Sequence, residues 1–427
     1  MKKLLYVILD GLGDLPIKEL GNKTPLEAAE VPNMDKLASR GKQGFVYTVG
    51  EGIAPESDIG VISILGYDAH KYYTGRGPLE SYAEGLEVKD GDLAYRVNFA
   101  TKDASSDRII DRRVGRNLTT EEATELAKEI NQKVKLTSAP ASFVFRNTIG
   151  HRGVLVIKAK DGKLSAEVTN TDPAYGKEGV FGVAKEKFEN IALKCEPTPE
   201  YKDSKEAQRA ALLTNEFVQK STAALSDSPV NKKRAGEGKM VGNLILTRDA
   251  GDHLPKFPDI CKKYNKKFGC FVEMPVERGI ALLTGMEIVA LPLPSGDLEK
   301  DYILRSKKAL DVLKDFDCLY IHIKGPDEPA HDGNFKKKLE SIELIDKYFF
   351  GEILPKLDMA NTVIAITADH STPCAMKAHS ADPVPLLVTG GGVAPDGLKA
   401  FGESESKKGS LGKLIGPEIV PYLMKLL

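Results

Sequence analysis

Charge of one sign is what this chain lacks first: 60 lysines and arginines stand against 61 aspartates and glutamates, for a formal net charge of −1. A nucleic-acid binder normally carries a basic excess that releases counterions from the phosphate backbone, so the usual argument for that partner is gone. Long hydrophobic runs are missing too. No stretch approaches the roughly 20 apolar residues of a membrane span, which argues against a membrane partner. The opening MKKLLYVILDGLGD has two lysines and an apolar run, but LLYVIL is six residues long and stops at Asp10 without a small-residue cleavage site. It reads as a buried strand ending in a loop, not as a targeting segment. Cysteine is sparse: Cys195, Cys261, Cys270, Cys318 and Cys374 are odd in number and form no CxxC pair. That argues against a disulfide framework or zinc ribbon and fits a reducing cytoplasm. Neither an internal repeat nor a low-complexity segment interrupts the chain.

What is present is an ordinary globular composition, 41% hydrophobic and 28% charged over 427 residues, enough for two or three cores. The first segment alternates strand and helix: LLYVILD, a helical stretch PLEAAEVPNMDKLASRG closed by Gly41, then the strand GFVYTVGEG, and PESDIGVISILGY with Ser57 just before a helix. The last third repeats the rhythm with the strands GCFVEM, CLYIHIK, NTVIAITADH and PVPLLVTGGG. Between them lie the helices VERGIALLTGM and FKKKLESIELIDKYFFGEILPKL. This βαβ pattern predicts a mostly parallel α/β sheet with ligand chemistry at the C-terminal strand ends. The middle carries the strand-like pieces SFVFRNT, HRGVLVIKAK, KLSAEVTN and GNLILTR and two helical stretches, and reads as an inserted α+β domain. Residues 1–80 and 258–427 are expected to form the core and 81–257 the insert. The KKKLE run reads as a solvated helix face, GGGV near residue 390 as a turn, and Cys374 as packing.

Seven histidines are few enough to place one by one: 70, 151, 253, 322, 331, 370 and 379. Asp327 and His331 in DEPAH are four residues apart, so one turn can aim both at one ion. Asp369 and His370 follow the strand TVIAIT, His379 closes the same loop, and Asp10 ends the first strand. An isolated Asp–His pair is commonly only a turn, and a serine before a helix commonly only a cap. Their joint placement at strand ends carries the reading. Mixed carboxylate and imidazole donors suit Mn²⁺ or Zn²⁺, and a two-metal site can activate a serine and clamp a transferring phosphoryl group.

The ordered motifs VILDGLGD, TPLEAAEVPNMDKLASRG, PESD, DEPAHDG, TADHSTPC and HSADPVP resemble the alkaline phosphatase superfamily. More closely, the chain is similar to the archaeal-type cofactor-independent phosphoglycerate mutases, a likeness that RIIDRRVGRN, HRGVLVIKAK, TNTDP and SPVNKKRAGEGKMVGN carry through the insert. The resemblance implies an alkaline-phosphatase-like core with helices on both faces and an inserted lid. It implies interconversion of 3-phosphoglycerate and 2-phosphoglycerate through phosphorylated Ser57. Two divalent ions are implied, Mn²⁺ first, with Mg²⁺, Zn²⁺ or Co²⁺ as alternatives, and no 2,3-bisphosphoglycerate. Asp10, Ser57, Asp369 and His370 would hold one ion, and Asp327, His331 and His379 the other. A phosphate and a carboxylate on the substrate suit arginine forks. The candidates are Asp111, Arg112, Arg113 and Arg116, then Asn243 and Arg248, then His151 and Arg152, with Lys324 or Arg278 as the core cation. The rival readings are a phosphomonoesterase, phosphonate hydrolase or phosphopentomutase on the same metal core, and a non-catalytic metal sensor, which would not need Ser57.

Overall fold

The computed structural model describes every residue except 1, 179, 180, 186 and 293. Two compact units divide the chain, Met1–Tyr72 with Phe257–Leu427, and Tyr73–Lys256. In chain order the strands are β1 (Lys3–Leu9) and β2 (Gly41–Tyr47) in the first unit. The second unit follows with β3 (Leu93–Lys102), β4 (Ile109–Asp111), β5 (Ala141–Asn147), β6 (Arg152–Ala159), β7 (Tyr175–Glu178), β8 (Phe181–Ala184) and β9 (Leu244–Gly251). The first unit resumes with β10 (Phe268–Phe271), β11 (Glu287–Ile288), β12 (Cys318–Ile323), β13 (Thr362–Thr367), β14 (Val384–Gly390) and β15 (Gly412–Ile415).

The first unit is built on an eight-stranded sheet of order β11-β10-β12-β1-β13-β14-β2-β15. All neighbours run parallel except at β14, which is antiparallel to both β13 and β2. The mostly parallel sheet expected from the sequence is therefore present. Every residue of CLYIHI and TVIAIT is buried, so both faces of the sheet centre are covered, as parallel strands require. Register fixes what this does for chemistry. Leu9 pairs with Ile323, and Ile8 pairs with both His322 and Thr367, so Asp10, Lys324 and Asp369 leave the sheet along one edge. The edge strands β11 and β15, two and four residues long, were too short to read from the pattern.

Several sequence expectations need correction. The single helix expected up to Gly41 is two, Pro25–Ala28 and Pro32–Ala38, because the proline ring forces Val31 out of helical geometry (φ −122°, ψ 55°). The long helix from Phe335 is α-helical to Leu344 and then widens into a π-helical turn over Ile345–Phe350. That turn aims Asp346 at the start of the Pro32–Ala38 helix, where its carboxylate accepts from Met34 N at 2.7 Å and Asn33 N at 3.1 Å. Val31 provides no cap of its own, so the cap comes from another element. KKKLE is not a solvated face throughout, since Lys338 is completely buried.

The second unit holds an antiparallel sheet of order β4-β3-β6-β5, with β9 on the other side of β3. Tyr95, Val97 and Phe99 of β3 pack into a core with residues of the Thr120–Lys133 and Lys205–Ser226 helices. Alternation sends Arg96 and Asn98 to the opposite face. KLSAEVTN is not a strand; Val168 makes only an isolated bridge to Pro197. No helix among the described residues is long and apolar enough to cross a membrane.

Behind the first strand's loop sits a buried carboxyl with a measurable signature. Glu403 accepts from Asp14 N at 3.2 Å and from Thr24 Oγ1 at 2.6 Å. Burial lifts its carboxyl from 4.5 to about 7. The folded state therefore holds this proton more tightly than the unfolded chain, and stability falls as pH rises from about 4.5 to 7. Glu403→Gln keeps the acceptor for Asp14 and removes the penalty. It should stabilise the protein by about 3 kcal/mol at pH 8 and by nothing at pH 4.5. Thermal melts at the two pH values check this; equal melting temperatures of both proteins at pH 8 would contradict it.

Candidate metal centre and an arginine-lined face

Side chains from four loops of the first unit meet at the sheet edge. Asp10, Asp369 and His370 offer donor atoms that all lie within 4.8 Å of one another, and so do Asp327, His370 and His379. His370 belongs to both groups. Its Nε2 lies 3.3 Å from Asp369 Oδ2 and 3.5 Å from Asp10 Oδ1, and its ring stacks on His379 at 3.7 Å. His331 joins the second group, with Nε2 3.4 Å from Asp327 Oδ2 and 3.1 Å from His379 Nε2. All six non-serine candidates from the sequence are thus together.

Ser57 begins the Ser57–Ile64 helix, but it is not its cap: the cap position is Glu56. Its Oγ instead lies 3.1 Å from His370 Nε2. The helix can come this close because Gly60 has no side chain; a Cβ there would sit 2.5 Å from Asp369 O.

The donor chemistry fits metal ions. His379 Nδ1 donates to Pro55 O at 2.8 Å, and His331 Nδ1 to Lys377 O at 3.1 Å. Both rings then direct Nε2 at each other, and two lone pairs that close need a proton or a cation between them. Asp10 Oδ1 is buried without a hydrogen-bond partner. Burial drives the Asp10 carboxyl up to about 7 against the pull of the Lys324 ammonium, with Asp369 and Asp327 raising it further. Burial also holds the His370 imidazole down to about 4, so at neutral pH it is uncharged and able to ligate. Burial opposes ionisation of Asp369, but His370 and the His322 hydrogen bond outweigh it and hold the carboxylate ionised.

The second unit concentrates positive charge on one face of its sheet. Arg96 of β3 lies opposite Arg248 of β9, and Asn98 opposite Arg152 of β6. Arg76 adds a further guanidinium, and Glu80 faces it at 2.6 Å and Arg96 at 3.6 Å. Burial, then Arg248 and Arg76, pull Arg96 down to about 9; burial, then Arg152 and Arg113, pull His151 down to about 4. The buried Nε atoms of Arg96 and Arg248 have no hydrogen-bond partner. Arg248 also packs over Tyr175 at 3.7 Å and lies 3.7 Å from Asp249 Oδ2, and a cluster of guanidiniums is a face suited to a phosphate or carboxylate.

Three sequence candidates have other work here. Arg112 Nε and Nη2 bind both oxygens of Asp172, at 2.8 and 2.7 Å. Asn243 closes on the backbone of Lys102, at 2.8 Å to its N and 3.0 Å to its O. Asp111 accepts from Arg113 N and Gly115 N at 2.6 and 3.0 Å. Each side chain therefore bonds within its own unit in this structure. Asp111 shapes a turn in which Val114, Gly115 and Arg116 all have positive φ (52°, 61° and 54°). A left-handed valine is strained, and its complete burial holds it there.

A family model described as 2,3-bisphosphoglycerate-independent phosphoglycerate mutase matches residues 38–231. The enzyme of that name from Aeropyrum pernix is 41% identical over 430 residues, covering 100% of this chain and 99% of its own. The one from Thermococcus kodakarensis is also 41% identical, covering 100% and 97%. The chain belongs to the 2,3-bisphosphoglycerate-independent phosphoglycerate mutases. Among solved structures, a cofactor-independent phosphoglycerate mutase from Thermoplasma acidophilum matches with a TM-score of 0.63 and 32% identity, covering 100% of this chain and 99% of that one. A Pyrococcus horikoshii protein matches at 0.79 and 34%, covering 100% and 97%.

Within this mutase fold, sequence reasoning missed residues behind the ligands. His322 is completely buried, with Nε2 3.3 Å from Asp369 Oδ2 and Nδ1 3.5 Å from Glu277 Oε1. A histidine inside the otherwise apolar strand CLYIHI was the available signal. Lys324 Nζ lies 2.5 Å from Glu277 Oε1 and 2.8 Å from Asp10 Oδ2, whereas Arg278 is exposed. Thr372 Oγ1 donates to Asp327 Oδ1 at 2.7 Å and lies 3.0 Å from His370 Nδ1, tying one group to the other.

Proposed function

We propose that this enzyme interconverts 3-phosphoglycerate and 2-phosphoglycerate through a phosphoserine at Ser57, without 2,3-bisphosphoglycerate. The observation that carries the reading is the Ser57 hydroxyl, 3.1 Å from His370 and at the start of a helix. A phosphoryl acceptor is what a binding protein would not need there. The names of its full-length relatives supply the substrate.

In this reading Ser57 Oγ bonds to phosphorus as the bond to the substrate oxygen breaks, leaving glycerate and phosphoserine. The bound glycerate turns, its other hydroxyl attacks the phosphoserine, and Ser57 is released. Asp10, Ser57, Asp369 and His370 would hold one divalent ion and Asp327, His331 and His379 a second, Mn²⁺ before Mg²⁺, Zn²⁺ or Co²⁺. Bound there, such ions lower the pKa of a serine hydroxyl and offset charge on phosphoryl oxygens. Lys324, already among Asp10 and Glu277, is the core cation assigned to the phosphoryl group in preference to exposed Arg278. We assign Arg96, Arg113, Arg116, His151, Arg152 and Arg248 of the second unit to the substrate's charged groups, and to that unit the role of excluding water. We assign the enzyme to the cytoplasm.

An enolase-coupled assay on 3-phosphoglycerate, with Mn²⁺ and no 2,3-bisphosphoglycerate, tests the reading. The expected product is 2-phosphoglycerate with no free phosphate. Release of free phosphate would show a hydrolase on the same core, and no product would reject the substrate.

A further inference from the structure

Lys338 is surrounded by the candidate metal loops yet belongs to none of them. Lys336 and Lys337 beside it are exposed, while Lys338 shares the buried stripe of its helix with Ser341 and Ile342. Its ammonium has three N–H groups and three acceptors: Gly13 O, Asp14 Oδ2 and Thr372 O, each at 2.9 Å. Gly13 and Asp14 lie in the loop that begins with Asp10. Thr372 lies in the loop that begins with Asp369 and His370. The helix of Lys338, Phe335–Leu344, follows and packs against the Asp327–His331 turn. One ammonium therefore ties together the three segments that carry all six non-serine ligand candidates. Asp14 extends the tie, accepting from Leu15 N at 2.8 Å and Cys374 N at 3.1 Å.

A purely structural account is hard to sustain. Replacing a buried ion pair with apolar side chains of the same volume is often neutral or stabilising, so bulk stability does not call for a lysine here. An apolar side chain could fill the space, but it could not hold oxygens of two loops at fixed spacing from a third segment.

We propose that Lys338 is a positioning residue for the metal centre, fixing the spacing of its loops so that cation affinity depends on a side chain that touches neither ion nor substrate. This rests on the metal reading above. The test is calorimetric titration of Mn²⁺ into metal-stripped full-length protein, comparing wild type, Lys338→Met and Asp14→Asn, with folding followed by circular dichroism. Asp14→Asn keeps the side chain's shape, but its amide nitrogen meets only donors whichever way it turns, so the ion pair and one side of the tie are lost even if Lys338→Met does not fold. Both variants should bind Mn²⁺ about 10- to 100-fold more weakly while remaining folded at the titration temperature. Folded variants that bind within about threefold of wild type would overturn the inference and leave the metal reading standing. Wild type that binds no Mn²⁺ would overturn both.

Discussion

Ser57→Ala lowers kcat by roughly 10⁴-fold or more, the scale seen when a nucleophile is removed from a preorganised site. The loss is chemical and not structural. Glu56 occupies the cap position of the helix, so removing the hydroxyl leaves the helix start intact. Among the described residues Ser57 Oγ meets His370 Nε2, and His370 keeps Asp369 and Thr372 as neighbours without it. Asp10, Asp369 and His370 remain to hold an ion, so Mn²⁺ binding should weaken only modestly. Three measurements check this: the coupled assay, calorimetry with Mn²⁺, and intact-mass detection of a phosphorylated enzyme in the wild type alone. A variant that keeps more than a few per cent of wild-type turnover would rule out the phosphoserine route.

Chelation is expected to remove activity almost as completely, by at least about 10³-fold, with recovery on adding Mn²⁺. The structure gives the reason in charge. Asp10, Asp327 and Asp369 are crowded at one sheet edge, and burial already lifts Asp10 to about 7. The facing Nε2 atoms of His331 and His379 add two more donors, and the hydrogen bond to Asp327 raises His331 to about 9, so a metal ion takes the place of a proton there. A cation that binds only this folded arrangement stabilises it by mass action, about 2.7 kcal/mol at a hundred times its dissociation constant. For a protein of this size that corresponds to a melting temperature roughly 3 °C higher with Mn²⁺ than with chelator. Identical melting curves and full turnover in excess chelator would remove metal ions from the reaction.

The parts of this molecule that could be read from sequence are those where one residue type does one job. The strands LLYVILD, CLYIHIK and NTVIAITADH announced themselves because parallel strands are apolar on both faces. The acidic and histidine residues just past them were then bound to meet at one edge. Pairings across the sheet were not legible, and neither was anything set by them. His322 looked like a stray polar residue in an apolar strand until β1 and β13 placed Asp369 beside it. β3 alternates cleanly through Tyr95, Arg96, Val97, Asn98 and Phe99, but arginine and asparagine on its second face masked a strand that is buried on both sides. Lys338 was misread for a related reason. Three lysines in a row suggest a solvated face, whereas helical periodicity puts only the third on the stripe of Ser341 and Ile342. The pairing of Arg112 with Asp172 was not legible either, because composition does not show which carboxylate an arginine meets.

The sheet order also governs how the chain is made. β1 occupies the middle of the first sheet, where Leu4 pairs with Cys318 on one side and Val363 on the other. The ribosome releases β1 first and its partners near the end. At roughly 5–20 residues per second, LLYVIL waits about 20–70 s for β13. Residues 73–256 form a contiguous unit and meet no such delay. During synthesis the middle of the chain can therefore fold before its beginning. For that interval an apolar strand has both edges open, the state in which chaperones or aggregation compete most strongly for a nascent protein.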